Sequence, residues 1–164
     1  MSDQLFKAIQ GGSVTTPAGF QAAGLHCGLK KTERNDLGVI VCDVPATAAA
    51  VYTTNLFQAA PLQVTRESLS NGTLRAVVVN SGNANACTGQ QGGQDAYAMR
   101  AETARQLGLD EQDVAVASTG VIGELLKMDR VLSGIERLPE QLGHESDYAE
   151  AFCQSILTTD LEIG

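Results

Sequence analysis

The chain has 164 residues, a length typical of one domain, and 43% of them are apolar, which permits a packed core and excludes a disordered chain. Aromatic residues make up only 4% and tryptophan is absent, so alanine, valine, leucine and isoleucine must build that core. The net charge of −8 argues against nucleic acid or an anionic membrane as partner, and no apolar run reaches the roughly 20 residues that span a bilayer.

The first half of the chain predicts short strands separated by turns. Residues 1–36 are rich in glycine, threonine and lysine and contain two turn-like stretches, 17–20 (PAGF) and 30–36 (KKTERND). Residues 38–44 (GVIVCDV) predict a strand, and 48–53 (AAAVYT) predict another, although its alanines would also fit a helix. We expect Pro45 to separate the two, because proline cannot donate a hydrogen bond inside a central strand. Residues 62–64 predict a short edge strand.

The middle of the chain predicts a strand, a helix and a second strand. Asn71-Gly72 is a typical turn, and residues 74–80 (LRAVVVN) predict a strand whose run of valines indicates burial on both faces. Apolar residues recur at helical spacing over 94–107, and Gly108 is the expected stop of that helix. Residues 113–118 (DVAVAS) predict the next strand.

Two further helices are predicted near the end of the chain. One covers residues 129–138 with Asp129 as its N-cap, and the next begins at Ser146, also as an N-cap. The inner face of the last helix is predicted to contain Tyr148, Ala149, Phe152 and Ile156. Because strands and helices alternate after residue 70, we predict an α+β fold with mixed α/β layers, in which residues 1–164 form a single domain.

Two glycine-containing loops follow predicted strands. Residues 79–89 (VNSGNANACTG) carry three asparagines and two glycines, and residues 118–123 (STGVIG) follow the next strand. An ordinary turn explains either loop, since glycine and asparagine favour turns. The alternative for residues 118–120 is an oxyanion hole, in which a threonine hydroxyl and the N–H groups of a following helical turn donate to a negative oxygen. The alternative for the asparagines is contact with a substrate carboxylate or amide.

The cysteines do not form a metal-binding or disulfide pattern. None lies in a CxxC pair, and their spacing is too wide for a zinc knuckle. With an N-terminus that lacks the features of a signal peptide, the expectation is reduced thiols in a cytoplasmic protein without a metal. The alternative is a nucleophilic Cys87 paired with one of the two histidines. The four cysteines are Cys27, Cys42, Cys87 and Cys153, and the histidines are His26 and His144.

Together with these two loops, a series of short motifs resembles a known family. The chain is similar to the amino-terminal, or α, portion of the ornithine acetyltransferases, also called glutamate N-acetyltransferases, of the cyclic arginine pathway. The motifs occur in family order across nearly the whole chain. They are VTTPAGF (14–20), AG (23–24), GLK (28–30), AAVYTTN (49–55), FQAAP (57–61), NSGNANACTG (80–89), STGVIG (118–123) and TTD (158–160).

The resemblance implies an acetyl transfer from N-acetylornithine to glutamate, and some family members also use acetyl-CoA as the donor. It implies a precursor that cleaves itself before a threonine, which becomes the nucleophile of the resulting β chain and forms an acetyl-enzyme in a ping-pong cycle. The implied partners are that β chain and the small substrates, in an α2β2 or larger oligomer without a cofactor. The implied oxyanion hole is Thr119 with Gly120, and the implied substrate-binding residue is Thr158, or alternatively Thr159.

The end of the chain departs from the family pattern. The family continues after TTD with a threonine and a Pro-Lys pair, whereas residues 161–164 here read LEIG. The substrate-binding lysine and the self-cleavage threonine of the family follow later and are absent from this sequence. We therefore expect activity only together with a β chain. The alternatives are a truncated, non-catalytic fragment and a diverged amidase or peptidase with an N-terminal threonine nucleophile.

Overall fold

A computed structural model describes residues 7–158 as one mixed sheet with helices on both of its faces, which confirms the predicted α+β class. Short 3-10 turns follow α1 and precede β4 and α4. The strands are β1 (Phe20–Leu25), β2 (Leu37–Thr47), β3 (Thr73–Asn80) and β4 (Val114–Ser118). The helices are α1 (Ala60–Ser68), α2 (Gly89–Leu107), α3 (Met128–Arg137) and α4 (Ser146–Ile156).

The sheet has the strand order β1-β2-β3-β4. The first two pairs are antiparallel, and β3 and β4 are parallel because the chain crosses between them through α2. Val78 lies at the centre, opposite Val39 on one side and Val116 on the other. All three are at most 3% exposed. Their side chains form the core with α2 and α3.

Helix α4 covers the opposite face of the sheet, and glycine permits its close approach. Gly38 alternates with the core-facing residues of β2, and a Cβ atom added there would lie 2.1 Å from the Ser155 hydroxyl oxygen. Phe152 and Ala149 of the same helix are buried against this face. The absence of side chains beneath the helix therefore sets the spacing of these two layers.

Helix α1 protects the outer edge of β4 with side-chain hydroxyl groups. Thr65 Oγ1 accepts a hydrogen bond from Val116 N at 3.0 Å and donates to Val116 O at 2.8 Å. Ser68 Oγ donates to Val114 O at 2.7 Å. The edge of the sheet thus has hydrogen-bond partners without another strand.

Two strand predictions in the first half are wrong. Residues 62–64 belong to α1, where Pro61 occupies the first turn and Val64 is the buried one of the three. Residues 48–53 form no regular element, and Val51 is 99% exposed. Residues with strand propensity do not form a strand where no edge of a sheet is available for pairing. Strand β1 has no counterpart among the predicted elements, since only the turn-like stretches on either side of it, 17–20 and 30–36, are recognised from the sequence.

Pro45 lies within β2 rather than between two strands, so the prediction for this residue is wrong. The pairing of β2 with β3 changes register between Val41 and Ala46, and the pairing with β1 ends at Cys42. An irregular segment at the sheet margin needs no N–H donor from the proline, which is why the strand tolerates it.

The later elements agree with the predictions except at their starts and in their burial. Residues 74–80 form β3, but its side chains alternate between buried and half-buried, whereas burial on both faces was predicted. Helix α2 begins at Gly89, five positions before the predicted start. Asp129 lies in the first turn of α3 and is not its N-cap, which is Lys127. Ser146 is likewise the first helical residue rather than the cap.

The last helix presents a slightly different inner face from the predicted one. Ala149 and Phe152 are buried as expected, together with Ser155. Tyr148 and Ile156 remain 36% and 38% exposed. The helix is therefore rotated toward its small residues, which pack on the glycines of the sheet.

Candidate active site

The loops after β3 and β4 lie side by side, because parallel strands end at the same edge of a sheet. Thr119 N donates to Asn80 O at 3.0 Å, and Val121 N donates to Gly82 O at 3.3 Å. Ala84 N donates back to Val121 O at 2.9 Å. The two loops therefore continue the ladder of the strands and form one corner, which we call the paired corner (residues 80–86 and 118–123).

Gly120 makes the close approach of these loops possible. Its φ of +128° is in the region that favours glycine, and a Cβ atom added there would lie 2.4 Å from the carbonyl carbon of Gly82. Residues 121–127 contain no helix, so the helical turn expected after Gly120 is absent. The available N–H group at this corner comes from the exit of a strand and not from the start of a helix.

The hydrogen bonds at the paired corner determine which groups can bind a ligand. The Thr119 N–H is already used by Asn80, whereas the Thr119 hydroxyl and the Gly120 N–H have no hydrogen-bond partner among residues 7–158. Thr119 is half-buried and Gly120 is exposed. The corner therefore offers two adjacent donors toward solvent, as an oxyanion hole requires.

The three asparagines of the first loop stabilise its conformation. Asn80 Nδ2 donates to Asn83 O at 2.8 Å, Asn83 Nδ2 to Glu124 O at 3.1 Å and Asn85 Nδ2 to Gly92 O at 2.7 Å. Each is at most 7% exposed. Their amide N–H₂ groups thus bind main-chain carbonyls of the loop itself, of the segment after β4 and of α2, and this geometry favours the structural of the two interpretations.

A cleft of about 490 Å³ lies next to the paired corner, lined by Gly82, Asn83 and Val121. Thr158, one of the two predicted substrate-binding residues, also lines this cleft and is exposed. The other, Thr159, lies outside the described residues. The structure thus brings Thr158 close to the loop that carries Gly120, and its role in substrate binding remains a prediction.

Asp36 fixes the wall of this cleft and was not identified from the sequence. Its fully buried carboxylate accepts hydrogen bonds from the N–H groups of Cys27 at 2.7 Å, Leu29 at 2.8 Å and Lys30 at 2.9 Å. Its main-chain carbonyl accepts one from Ser81 N at 2.8 Å. One residue therefore joins the 27–30 loop to the exit of β3.

This arrangement shifts the pKa values of the Asp36 carboxyl group and the Cys27 thiol in opposite directions. Burial alone would raise the pKa of Asp36, but the hydrogen bonds from Cys27 and Lys30 outweigh it and lower that pKa. Burial, reinforced by the charge of Asp36, raises the pKa of the Cys27 thiol to about 12. Cys27 is therefore uncharged at neutral pH and unsuited to act as a nucleophile.

Replacing Asp36 by asparagine is expected to lower the free energy of unfolding by about 2 kcal/mol at neutral pH, because buried N–H donors lose a charged acceptor. The lowered folded-state pKa means that this stabilisation is complete above the unfolded-state pKa and is lost as the pH falls through the folded-state pKa. Urea unfolding at decreasing pH should show the two proteins converging in acid.

The matched control for this experiment is Asp43→Asn. Asp43 is exposed and its carboxylate accepts a hydrogen bond from the Gln21 side chain at 2.9 Å. Its replacement is expected to change the stability by no more than about 0.5 kcal/mol. Equal losses in the two variants would contradict the role assigned to Asp36.

The surroundings of Cys87 do not support a Cys/His pair. Cys87 is exposed at the start of α2, in a cleft of about 500 Å³ lined mainly by glutamine and glycine and by no histidine. His144 Nδ1 lies 3.0 Å from Phe20 O, and His26 Nδ1 lies 3.0 Å from the carboxylate of Asp36. In residues 7–158 all four cysteines are free thiols, and no cluster of acidic, histidine or cysteine side chains is arranged to hold a metal.

The model of the ArgJ family matches residues 21–163, which is most of the chain and includes both loops of the paired corner. The chain belongs to the ArgJ family. The expectation drawn from its motifs is thereby confirmed at the level of the family. None of the helices within residues 7–158 has the length and apolar character needed to cross a membrane.

Several relatives in the ArgJ family are similar over nearly the whole chain. The arginine biosynthesis bifunctional protein ArgJ of Bacillus cereus is 58% identical over 93% of this chain, which spans only 37% of that relative. A crystal structure of ArgJ from Bacillus halodurans has a TM-score of 0.90 at 53% identity, covering 94% of this chain and 80% of the solved chain. The ornithine acetyltransferase of Mycobacterium tuberculosis, solved in complex with ornithine, has a TM-score of 0.89 at 38% identity, with 94% and 83% covered.

Proposed function

We propose that this chain is the α portion of a glutamate N-acetyltransferase, which transfers the acetyl group of N-acetylornithine to glutamate. The observation that carries the proposal is the paired corner of an ArgJ-family chain. There the Thr119 hydroxyl and the Gly120 N–H are adjacent donors without a protein partner in the described part of the chain. The relatives, an arginine biosynthesis bifunctional protein and an ornithine acetyltransferase, agree with this reaction.

The chemistry proposed for the corner is stabilisation of a tetrahedral intermediate. A threonine hydroxyl from the β chain attacks the acetyl carbonyl of N-acetylornithine, and the carbonyl oxygen becomes negative. The Thr119 hydroxyl and the Gly120 N–H donate hydrogen bonds to that oxygen. The proton lost by the attacking hydroxyl passes to the leaving nitrogen, so that ornithine leaves as the amine. The amino group of glutamate then attacks the acetyl-threonine and gives up a proton that returns to the threonine oxygen, which releases N-acetylglutamate and the free hydroxyl.

In this proposal a second polypeptide segment supplies the nucleophile, and two observations support it. The chain spans 37% of the Bacillus cereus relative but 80% of the solved Bacillus halodurans chain, as expected if a precursor is divided into two chains. Apolar side chains in and next to the paired corner are more than half exposed, which suits a surface that another chain covers. These side chains are Val121, Ile122 and Leu125.

The remaining features of the proposal follow from the family resemblance. The enzyme works in the cytoplasm without a metal or cofactor, as an α2β2 or larger assembly formed after autocatalytic cleavage. Thr158, with Thr159 as the alternative, contacts the substrate, and Thr158 lines the cleft beside the corner. Acetyl-CoA is a second donor to be tested in the same assay.

The experiment that tests the proposal combines mass spectrometry with an activity assay on the full-length gene product. We expect two polypeptides, of which the second begins with threonine, and formation of N-acetylglutamate from N-acetylornithine and glutamate. A single uncleaved species without turnover would identify a non-catalytic protein. Release of acetate without N-acetylglutamate would identify an amidase instead.

A further inference from the structure

The cleft beside the paired corner has a charge opposite to that of the protein as a whole. The chain carries a net charge of −8, yet among residues 7–158 four basic side chains and a single acidic one line this cleft of about 490 Å³. The basic residues are Lys30, Lys31, Arg34 and Lys127, and the acidic residue is Glu124. Such a local excess of positive charge concentrates anions at the cleft.

The 27–30 loop, which places Lys30 and Lys31 at the cleft, is held in place by buried groups and is not a freely moving surface loop. The Asp36 carboxylate binds the main chain of the 27–30 loop, as described above, and Lys30 Nζ donates to Asn35 O at 2.7 Å. The Lys30 stem packs close to Gly82, where an added Cβ atom would lie 3.2 Å from Lys30 Cγ. The loop that contains Lys30 therefore packs directly against the paired corner, which also contains Gly120.

Two cations of the cleft are available to a ligand. The ammonium groups of Lys31 and Lys127 are exposed and form no ion pair or hydrogen bond within residues 7–158. They belong to different segments, the loop before β2 and the residue before α3, and both line the same cleft. An anion bound in the cleft would therefore be attracted by positive charge from both segments.

We propose that this cleft is a subsite for the anionic end of a substrate that donates or accepts an acetyl group at the paired corner. The inference rests on the proposed function and extends it to residues for which no role was predicted from the sequence. The shared chemistry is an oxyanion with several acceptor oxygens, which is either a carboxylate of the acceptor glutamate or a phosphate of acetyl-CoA. In both glutamate and acetyl-CoA the anionic group is separated by several bonds from the atom that reacts.

The test is steady-state kinetics of the full-length enzyme carrying Lys31→Met and Lys127→Met together. We expect the KM of one anionic substrate to rise about 5- to 10-fold, with kcat within twofold. The effect is moderate because the two lost ion pairs, between the lysine ammonium groups and the substrate anion, are solvent-exposed. A rise for glutamate identifies a carboxylate as the ligand, and a rise confined to acetyl-CoA identifies its phosphates. Added salt should reduce the difference between the parent enzyme and the variant.

The matched control is Lys7→Met, which removes an exposed lysine that does not line the cleft. Unchanged KM values in the double variant, or an equal rise in the control, would overturn the subsite. Titration calorimetry of both proteins with glutarate and with pyrophosphate separates this outcome from a failure of the proposed function. If the parent protein binds these anions, the double variant does not, and no acetyl transfer is found, the subsite is supported and the transferase is rejected. If the parent protein transfers acetyl groups but does not bind these anions, the transferase is supported and the subsite is rejected.

Discussion

Replacing Thr119 by alanine is expected to lower kcat for acetyl transfer by roughly 100- to 1,000-fold while the protein remains folded. The Thr119 N–H is committed to Asn80 O, so the hydroxyl is the group of this residue that can reach a developing oxyanion. The hydroxyl has no partner in residues 7–158, so its removal costs the folded state little, within about 0.5 kcal/mol. Single-turnover formation of acetyl-enzyme would measure the loss at the chemical step.

Two variants separate the hydroxyl from other effects at this position. Thr119→Ser keeps the donor and is expected to retain activity to within about tenfold of the parent. Ser118→Ala removes the neighbouring hydroxyl, whose buried oxygen has no partner, and should leave kcat within about twofold. An unchanged rate in Thr119→Ala, or equal losses in Thr119→Ala and Ser118→Ala, would remove Thr119 from the mechanism.

Replacing Gly120 by alanine is expected to lower the free energy of unfolding by about 4 kcal/mol and to abolish acetyl transfer. Two effects add in this variant. The φ of +128° is unfavourable for alanine, and the new Cβ atom would lie 2.4 Å from the carbonyl carbon of Gly82. The loops would have to separate, which displaces the Gly120 N–H from the Thr119 hydroxyl. Urea unfolding and the acetyl-transfer assay measure the two consequences.

Gly123→Ala provides the matched control for the steric effect. Gly123 has a φ of +86°, but no atom lies within 4 Å of an added Cβ. This variant therefore suffers the backbone strain without the collision, and a loss of about 1 kcal/mol is expected. If the two alanine variants lost the same stability, the contact of Gly120 with Gly82 would not be what holds the corner together.

The sequence by itself determined the elements that depend on local periodicity, and it determined the family. The valine run of β3, the helical spacing of α2 and the glycine after it are local patterns, and each predicted an element that the structure contains. The motifs around residues 80–89 and 118–123 indicated the family before the fold was known, because their order along the chain is itself a specific pattern.

Local pattern was insufficient where a long-range partner decides the conformation. Residues 48–53 have strand propensity but meet no free edge, and residues 62–64 join a helix whose Thr65 and Ser68 cover the edge of β4. Pro45 remains within a strand because the register changes around it. In each case the outcome depends on which strands lie alongside, and no periodicity within the segment records that.

Only the tertiary structure decided which groups at the candidate site remain available. The parallel pairing of β3 with β4 brings the two loops together, assigns the Thr119 N–H to Asn80 and leaves the hydroxyl and the Gly120 N–H unused. Asp36 has no role predicted from the sequence, yet its buried carboxylate anchors the 27–30 loop at the wall of the cleft. Hydrogen bonds between residues that are distant along the chain depend on how the elements pack, so composition and spacing cannot reveal them.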